Sequence, residues 1–206
     1  MVCILDRLEE IEAAVPFPFG GLDASRVAVA GHSLGGHTAS VLLGMEFADA
    51  ESGEVVNMAE PRIKAGILLA ALGEGDEALS EKGREMLPFH RKVDFGAMKT
   101  PALVVVGDAD PSEHLTTRGW EWHADAFRLG GEGRSLLTLF GGDHCLGGIS
   151  GFDAKETVEE DVQMVAAVQR LSVVWLRKVL DGDEGGWEEA VRVLHEIGRI
   201  GRVESK

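Results

Sequence analysis

Residues 27–36 read Val-Ala-Val-Ala-Gly-His-Ser-Leu-Gly-Gly, an apolar run that passes directly into three glycines around one serine. The valines and alanines at its start are typical of a buried strand in a parallel sheet. Residues 31–35 match the pattern G-x-S-x-G, which turns such a strand sharply into a helix. We expect this turn to lift Ser33 above the sheet edge, with Gly31 and Gly35 leaving room where a side chain would collide.

Two later segments each end an apolar strand with polar residues. Residues 101–110 read Pro-Ala-Leu-Val-Val-Val-Gly-Asp-Ala-Asp, and residues 136–144 read Leu-Leu-Thr-Leu-Phe-Gly-Gly-Asp-His. Open parallel sheets bind ligands beyond the carboxyl ends of their strands. We therefore expect an acid from the first segment and His144 from the second to lie near Ser33.

The serine motif, the acid strand and the histidine loop occur in an order that resembles the alpha/beta-hydrolase superfamily, from about residue 2 to about residue 180. The resemblance implies that Ser33 is the nucleophile and His144 the general base. It favours Asp110 as the acid, because the family's acid usually falls three residues after the glycine that ends its strand. Asp108 is the alternative acid, and would otherwise cap the loop.

The same resemblance implies an acyl-enzyme mechanism acting on carboxylic esters, without a cofactor. The backbone N–H of Leu34 is the expected oxyanion donor, and His32 is a candidate substrate-binding residue for which packing or solvent contact is the simpler role. The motifs look most like the branches near dienelactone hydrolases, chlorophyllases and platelet-activating-factor acetylhydrolases. Dienelactone hydrolases use a cysteine nucleophile where this chain has Ser33, so their substrate class is not carried over.

The family's strands that precede the first helix have no counterpart in this sequence. We therefore predict an α/β fold, a three-layer sandwich with a parallel sheet of about four strands, equivalent to the C-terminal part of an alpha/beta-hydrolase fold. In the family, a loop from the preceding strands supplies a second oxyanion N–H, and losing one such donor costs roughly 100- to 1000-fold in turnover. We expect weakened ester hydrolysis. The alternative is a catalytically impaired hydrolase that serves as a binding or partner subunit, and its exposed strand edge would favour a homo-oligomer.

Composition and sequence pattern disfavour several other classes of function. The net charge of −15 disfavours nucleic acid as a partner, because phosphate binding needs clustered lysine and arginine. No apolar run approaches the ~20 residues that span a bilayer, and the acidic start does not resemble a secretory signal, so we expect a cytoplasmic protein without a membrane span. The glycines lack the G-x-G-x-x-G spacing of a dinucleotide site.

Helical periodicity predicts the remaining elements. Residues 2–15 form an amphipathic helix that ends at the prolines that follow, and residues 162–180 form a long helix that covers one sheet face. A further amphipathic helix is predicted over residues 187–200. The expected organisation is a partial hydrolase domain over residues 1–181 and a C-terminal helical appendage over residues 182–206.

The other histidines and the cysteine beside His144 receive structural interpretations. Four histidines lack partners at metal-ligand spacing, so we expect surface or core positions and no metal site: His90, His114, His123 and His195. Cys145 is a second candidate nucleophile. We disfavour it because adjacent side chains usually point apart and no glycine-framed turn surrounds it.

Overall fold

A five-stranded, mainly parallel sheet forms the centre of the computed structural model, which describes residues 2–15, 21–149 and 160–206. The strands are β1 (Val27–His32), β2 (Phe47–Ala48), β3 (Val55–Val56), β4 (Ile63–Leu69), β5 (Ala102–Gly107), β6 (Arg134–Leu139) and β7 (Gly201–Ser205). The central sheet has the order β1-β4-β5-β6-β7, and β2 and β3 form a separate antiparallel pair. The first four strands of the sheet are parallel, and β7 runs antiparallel to β6.

Helices flank this sheet on both faces. They are α1 (Val2–Leu5), α2 (Leu8–Ala14), α3 (Leu34–Leu42), α4 (Glu81–Met86), α5 (Asp125–Arg128), α6 (Val162–Asp181) and α7 (Glu184–Ile197). A short 3-10 helix, Gly119–Ala124, leads directly into α5. The fold class predicted from the sequence, an α/β sandwich with a parallel sheet of about four strands between helical layers, is confirmed, and the sheet has a fifth, antiparallel strand.

Strand β5 shows why the core has two halves. All six of its residues are buried, and successive side chains of a strand point to opposite faces. Val104 and Val106 pack in the cluster that includes α3, whereas Leu103 and Val105 pack in the cluster that includes α6 and α7. A near-continuous apolar run is therefore required here, because both faces of the strand are covered.

The C-terminal residues differ from the helical appendage expected for residues 182–206. They contain α7 and then β7, which adds a fifth strand beside β6. Trp187 and Leu194 of α7 are buried in the same cluster as the strands. The physical reason is that β6 would otherwise be an edge strand, and β7 supplies its missing hydrogen-bond partners.

Other element boundaries differ from the predictions by a few residues. The single helix expected over residues 2–15 is two helices, α1 and α2, and its predicted end at the following prolines lies outside the described residues. Within the described part of the chain, β1 pairs with β4 alone, so it forms the other edge of the sheet. The same residues include no helix that is both long and apolar enough to cross a bilayer.

Candidate active site

Ser33 lies at a sharp turn between β1 and α3. Its backbone has a φ of 54° and a ψ of −118°, a conformation that residues with a side chain rarely adopt and that costs roughly 1–3 kcal/mol. Its N–H donates to the carbonyl of Leu69, at the end of the neighbouring strand, over 2.9 Å. Because α3 begins at the next residue, Leu34, the first amides of the helix lack intrahelical carbonyl partners at this turn.

Glycines allow this turn to pack closely, but one of them is not the glycine that we expected. A Cβ at Gly31 would lie 2.1 Å from the carbonyl oxygen of Gly35, and a Cβ at Gly36 would lie 2.6 Å from the Cβ of Ala71. A Cβ at Gly35 itself would meet nothing within 4 Å. The prediction that a side chain at Gly35 would collide is therefore wrong, because a Cβ there would face open space. Gly36 is the glycine that allows close packing, against Ala71 in the segment after β4.

The loops that follow β5 and β6 are joined through their backbones. A Cβ at Gly107 would lie 2.1 Å from the carbonyl oxygen of Gly142, so the two loops approach more closely than side chains would permit. The N–H of Ala109 donates to the same carbonyl over 2.9 Å. Asp108 accepts a 2.6 Å hydrogen bond from the N–H of Gly141 through Oδ1. Asp108 thus occupies the loop-capping position that the sequence analysis gave as its other role.

The structure brings Ser33, His144 and Asp110 together in one hydrogen-bonded chain. His144 Nε2 lies 3.0 Å from Ser33 Oγ, and His144 Nδ1 lies 2.7 Å from Asp110 Oδ2. The side chain of Asp110 is 2% exposed and that of His144 is 35% exposed. The arrangement has a partly accessible hydroxyl, an imidazole in contact with it, and a buried carboxylate that orients the far side of the imidazole.

The Asp110 carboxylate is ionised despite its burial. Burial alone raises the pKa of this group, but hydrogen bonds from His123 and His144, with the attraction of their rings, outweigh it and hold the pKa well below the ordinary value. Ser112 Oγ donates a further 2.8 Å hydrogen bond to Asp110 Oδ1. These contacts therefore fix the carboxylate in both charge and orientation.

His32 contacts the histidine loop. Its Nε2 donates a 2.7 Å hydrogen bond to the backbone carbonyl of His144, and the two rings are 4.9 Å apart between centroids. Burial lowers the pKa of His32 despite this hydrogen bond. A neutral His32 thus ties the turn at Ser33 to the loop that carries His144, and the substrate-binding role considered from the sequence stays a prediction.

His123 and Ser112 also contact Asp110, and the sequence analysis did not assign either of them to the site. His123 is 1% exposed, and its Nε2 lies 3.1 Å from Asp110 Oδ2 and 2.8 Å from Ser112 Oγ. The sequence analysis expected only a surface or core position for His123, because its spacing to other residues indicates no metal site. Because β4 and β5 are neighbours in the sheet, the 3-10 helix contacts both Ala71, after β4, and Asp110, after β5.

Asp110, His123 and His144 also form a set of donors of the type that binds divalent transition metals, with their ligand atoms within 4.8 Å of one another. The 2.7 Å separation between Asp110 Oδ2 and His144 Nδ1 is that of a direct hydrogen bond. Two ligands that each lie about 2.0–2.2 Å from a tetrahedral ion would be farther apart than this. The residues in this geometry therefore do not fit a metal ion. That the protein functions without a metal stays a prediction.

His37, on the helix that follows Ser33, packs against His90. The rings of His37, on α3, and His90 are 5.0 Å apart between centroids. Burial and repulsion by His90 lower the pKa of His37 to about 4. His90 is fully buried and donates from Nε2 to the carbonyl of Gly73 over 2.7 Å. Both rings are therefore neutral packing elements at pH 7. Cys145, the alternative nucleophile, is only 4% exposed.

Comparisons with known proteins add little to this geometry. No protein-family model matches the sequence, and no curated protein matches it. Among solved structures, a ferulic acid esterase from Streptomyces cinnamoneus is similar with a TM-score of 0.46 and 16% sequence identity, over 88% of this chain and 49% of that one. This chain thus spans about half the length of that esterase.

Proposed function

We propose that this chain is a serine hydrolase that cleaves a small carboxylic ester through Ser33, His144 and Asp110. The observation that carries the proposal is the continuous hydrogen-bonded chain from Ser33 Oγ through both ring nitrogens of His144 to the buried Asp110. A serine hydroxyl is a weak nucleophile, and an adjacent base that is itself oriented by a third group activates it. The strained backbone of Ser33 supports the same interpretation.

The chemistry follows from the positions of the protons. The carboxylate of Asp110 accepts a hydrogen bond from Nδ1–H of His144, which leaves the lone pair of Nε2 facing Ser33 Oγ. In this proposal Nε2 takes the hydroxyl proton as Oγ attacks the ester carbonyl, and Asp110 stabilises the imidazolium that forms. His144 then returns the proton to the leaving alcohol, and a water molecule attacks the acyl-enzyme by the same sequence of proton transfers.

The oxyanion would form near the start of α3. The N–H of Leu34 follows the nucleophile, belongs to the first turn of the helix and is the proposed donor. The positive end of the helix dipole favours negative charge at the same position. We propose that this N–H stabilises the negative charge of the oxyanion, while His144 makes the proton transfers.

The test is the turnover of p-nitrophenyl acetate and p-nitrophenyl octanoate by the purified chain and by Ser33→Ala. We expect the substitution to reduce kcat/KM by at least about 1000-fold, as removal of a nucleophile does in serine hydrolases. Ser52→Ala is the matched control, because Ser52 is exposed in the turn between β2 and β3. Turnover by Ser33→Ala within tenfold of the parent chain would refute the proposal.

Within residues 2–15, 21–149 and 160–206, no strand pairs with the outer edge of β1, and this edge favours a second candidate function, a catalytically impaired partner subunit that pairs with another chain. Sedimentation of the purified chain, together with its ester turnover, separates the two candidates. An active monomer excludes the partner subunit. A stable oligomer without Ser33-dependent turnover would favour it over the hydrolase.

A further inference from the structure

The proposed mechanism leaves one buried histidine beside the acid without a function. His123 lies in the 3-10 helix Gly119–Ala124, and its Nε2 is 3.1 Å from Asp110 Oδ2, the same oxygen that His144 Nδ1 contacts. Its ring centroid is 5.5 Å from that of His144. The titratable groups that face it are Asp110 and His144, with His32 in the same electrostatic field. Buried polar atoms are usually hydrogen-bonded, and both ring nitrogens of His123, which is 1% exposed, have partners within the protein.

The partners of the two ring nitrogens specify where the protons lie. Nδ1 is 2.7 Å from the carbonyl oxygen of Ala71, which can only accept, so Nδ1 carries a hydrogen. Nε2 is 3.1 Å from Asp110 Oδ2, and an ionised carboxylate can also only accept. A neutral ring with its hydrogen on Nδ1 would direct the lone pair of Nε2 at this negative oxygen.

Ser112 gives an independent count of the protons. Its Oγ lies 2.8 Å from Asp110 Oδ1 and 2.8 Å from His123 Nε2, but a hydroxyl has one hydrogen to donate. If that hydrogen goes to Asp110, then His123 Nε2 must be the donor in the other contact. The hydrogen bonds of Ser112 to Asp110, of His123 Nε2 to Ser112 and of His123 Nδ1 to Ala71 form together only when both nitrogens of His123 carry hydrogens.

We propose that His123 is a buried imidazolium that acts as a positioning residue for the acid, holding Asp110 ionised and directing its Oδ2 at His144. This inference rests on the proposed function, because it assigns the role through the Asp110–His144 pair. The positive ring compensates the buried carboxylate before substrate binds. It also adds positive charge near His144, and this charge opposes a second positive charge on the His144 ring.

Substitution at His123 changes two quantities that a merely structural residue would not change together. His123→Phe keeps a ring but removes both N–H donors and the charge. We expect kcat/KM to fall between about 10- and 100-fold, as expected from loss of one hydrogen bond to a charged group. The acid limb of the kcat/KM profile should also move to higher pH. His123→Gln retains a neutral donor, so it should recover part of the rate while its acid limb stays displaced.

The protonation of His123 can be measured without any activity. In protein labelled with 15N-histidine, the ring signals of His123 are assigned by their loss in His123→Gln, and their 15N shifts at pH 7.5 report whether one or both nitrogens carry hydrogen. Two protonated nitrogens are expected, and one would overturn the inference. An unchanged acid limb in folded His123→Phe would also overturn it. If Ser33-dependent turnover is absent, the proposed function fails, and the NMR result still decides the state of His123.

Discussion

The substitution Asp110→Asn tests the role of the buried acid with almost no change in shape. Asp110 Oδ2 faces an N–H of His144 at 2.7 Å, and Oδ1 accepts from Ser112 at 2.8 Å. An amide removes the negative charge. If its NH₂ group faces His144, the amide also favours the tautomer that places hydrogen on Nε2, which cannot then accept the proton of Ser33. Both effects act on the transition state, in which His144 is positively charged.

The magnitude follows from the geometry of the pair. With the two charges centred roughly 4 Å apart and an effective dielectric constant of about 20, their attraction is about 4 kcal/mol. Since about 1.36 kcal/mol corresponds to a factor of ten in rate, loss of the carboxylate charge should reduce kcat by about 1000-fold. The tautomer effect adds to this loss, so we expect a reduction between about 1000- and 10000-fold.

The assay is the kcat of p-nitrophenyl acetate hydrolysis at pH 8, and Asp108→Asn is the matched control. Asp108 accepts one 2.6 Å hydrogen bond from Gly141 and does not contact His144 in the structure, so we expect this control to lose less than about tenfold. Circular dichroism confirms that both variants are folded. Equal losses in the two variants, or a larger loss in Asp108→Asn, would refute the assignment of Asp110 as the acid.

Two further predictions concern stability and are measured by urea unfolding. Gly36→Ala should lower the free energy of unfolding by about 1–3 kcal/mol, because its Cβ would lie 2.6 Å from the Cβ of Ala71. The Cβ of Gly35→Ala would meet nothing within 4 Å, so this control should be neutral or stabilising by up to about 1 kcal/mol. Equal effects of the two substitutions would contradict the close packing at Gly36. The pKa of His37 is lowered from 6.5 to about 4, so the unfolded chain binds a proton at this ring at a higher pH than the folded chain does. The free energy of unfolding should therefore fall by up to roughly 3 kcal/mol as the pH falls from about 6.5 to about 4. His37→Leu should reduce that pH dependence and the same substitution at exposed His114 should not; an unchanged slope in His37→Leu would show that this ring is not the cause.

The parallel strands could be predicted from sequence because their residues are buried on both faces. Mainly apolar runs of four or five residues before glycine locate β1, β5 and β6, and the structure has strands at all three. Strand β7 lacks this signal. Val203 is its one large apolar residue, and the strand alternates exposed with less exposed positions at the sheet edge. Its pairing with β6 depends on tertiary contacts that local periodicity does not report.

In the candidate site, too, some residues could be predicted from local sequence and others could not. Local motifs locate Ser33 and His144, since each follows a strand and lies in a glycine-rich turn. Proximity in the fold, and not spacing in the chain, brings His123 to Asp110. His123 also bonds Ala71, a residue on the segment after β4, 52 positions away in sequence. No short pattern contains that information, so the second partner of the acid emerged from the structure alone.

The most direct test of the central claim is intact-mass measurement after treating the folded chain with a fluorophosphonate, beside Ser33→Ala and His144→Gln. The account predicts one covalent adduct on the native chain, none on Ser33→Ala, and labelling slowed by at least about 100-fold in His144→Gln, because the base that activates the hydroxyl is absent. A native chain that is folded but forms no adduct, or an adduct that persists in Ser33→Ala, would contradict the claim that Ser33 is an activated nucleophile.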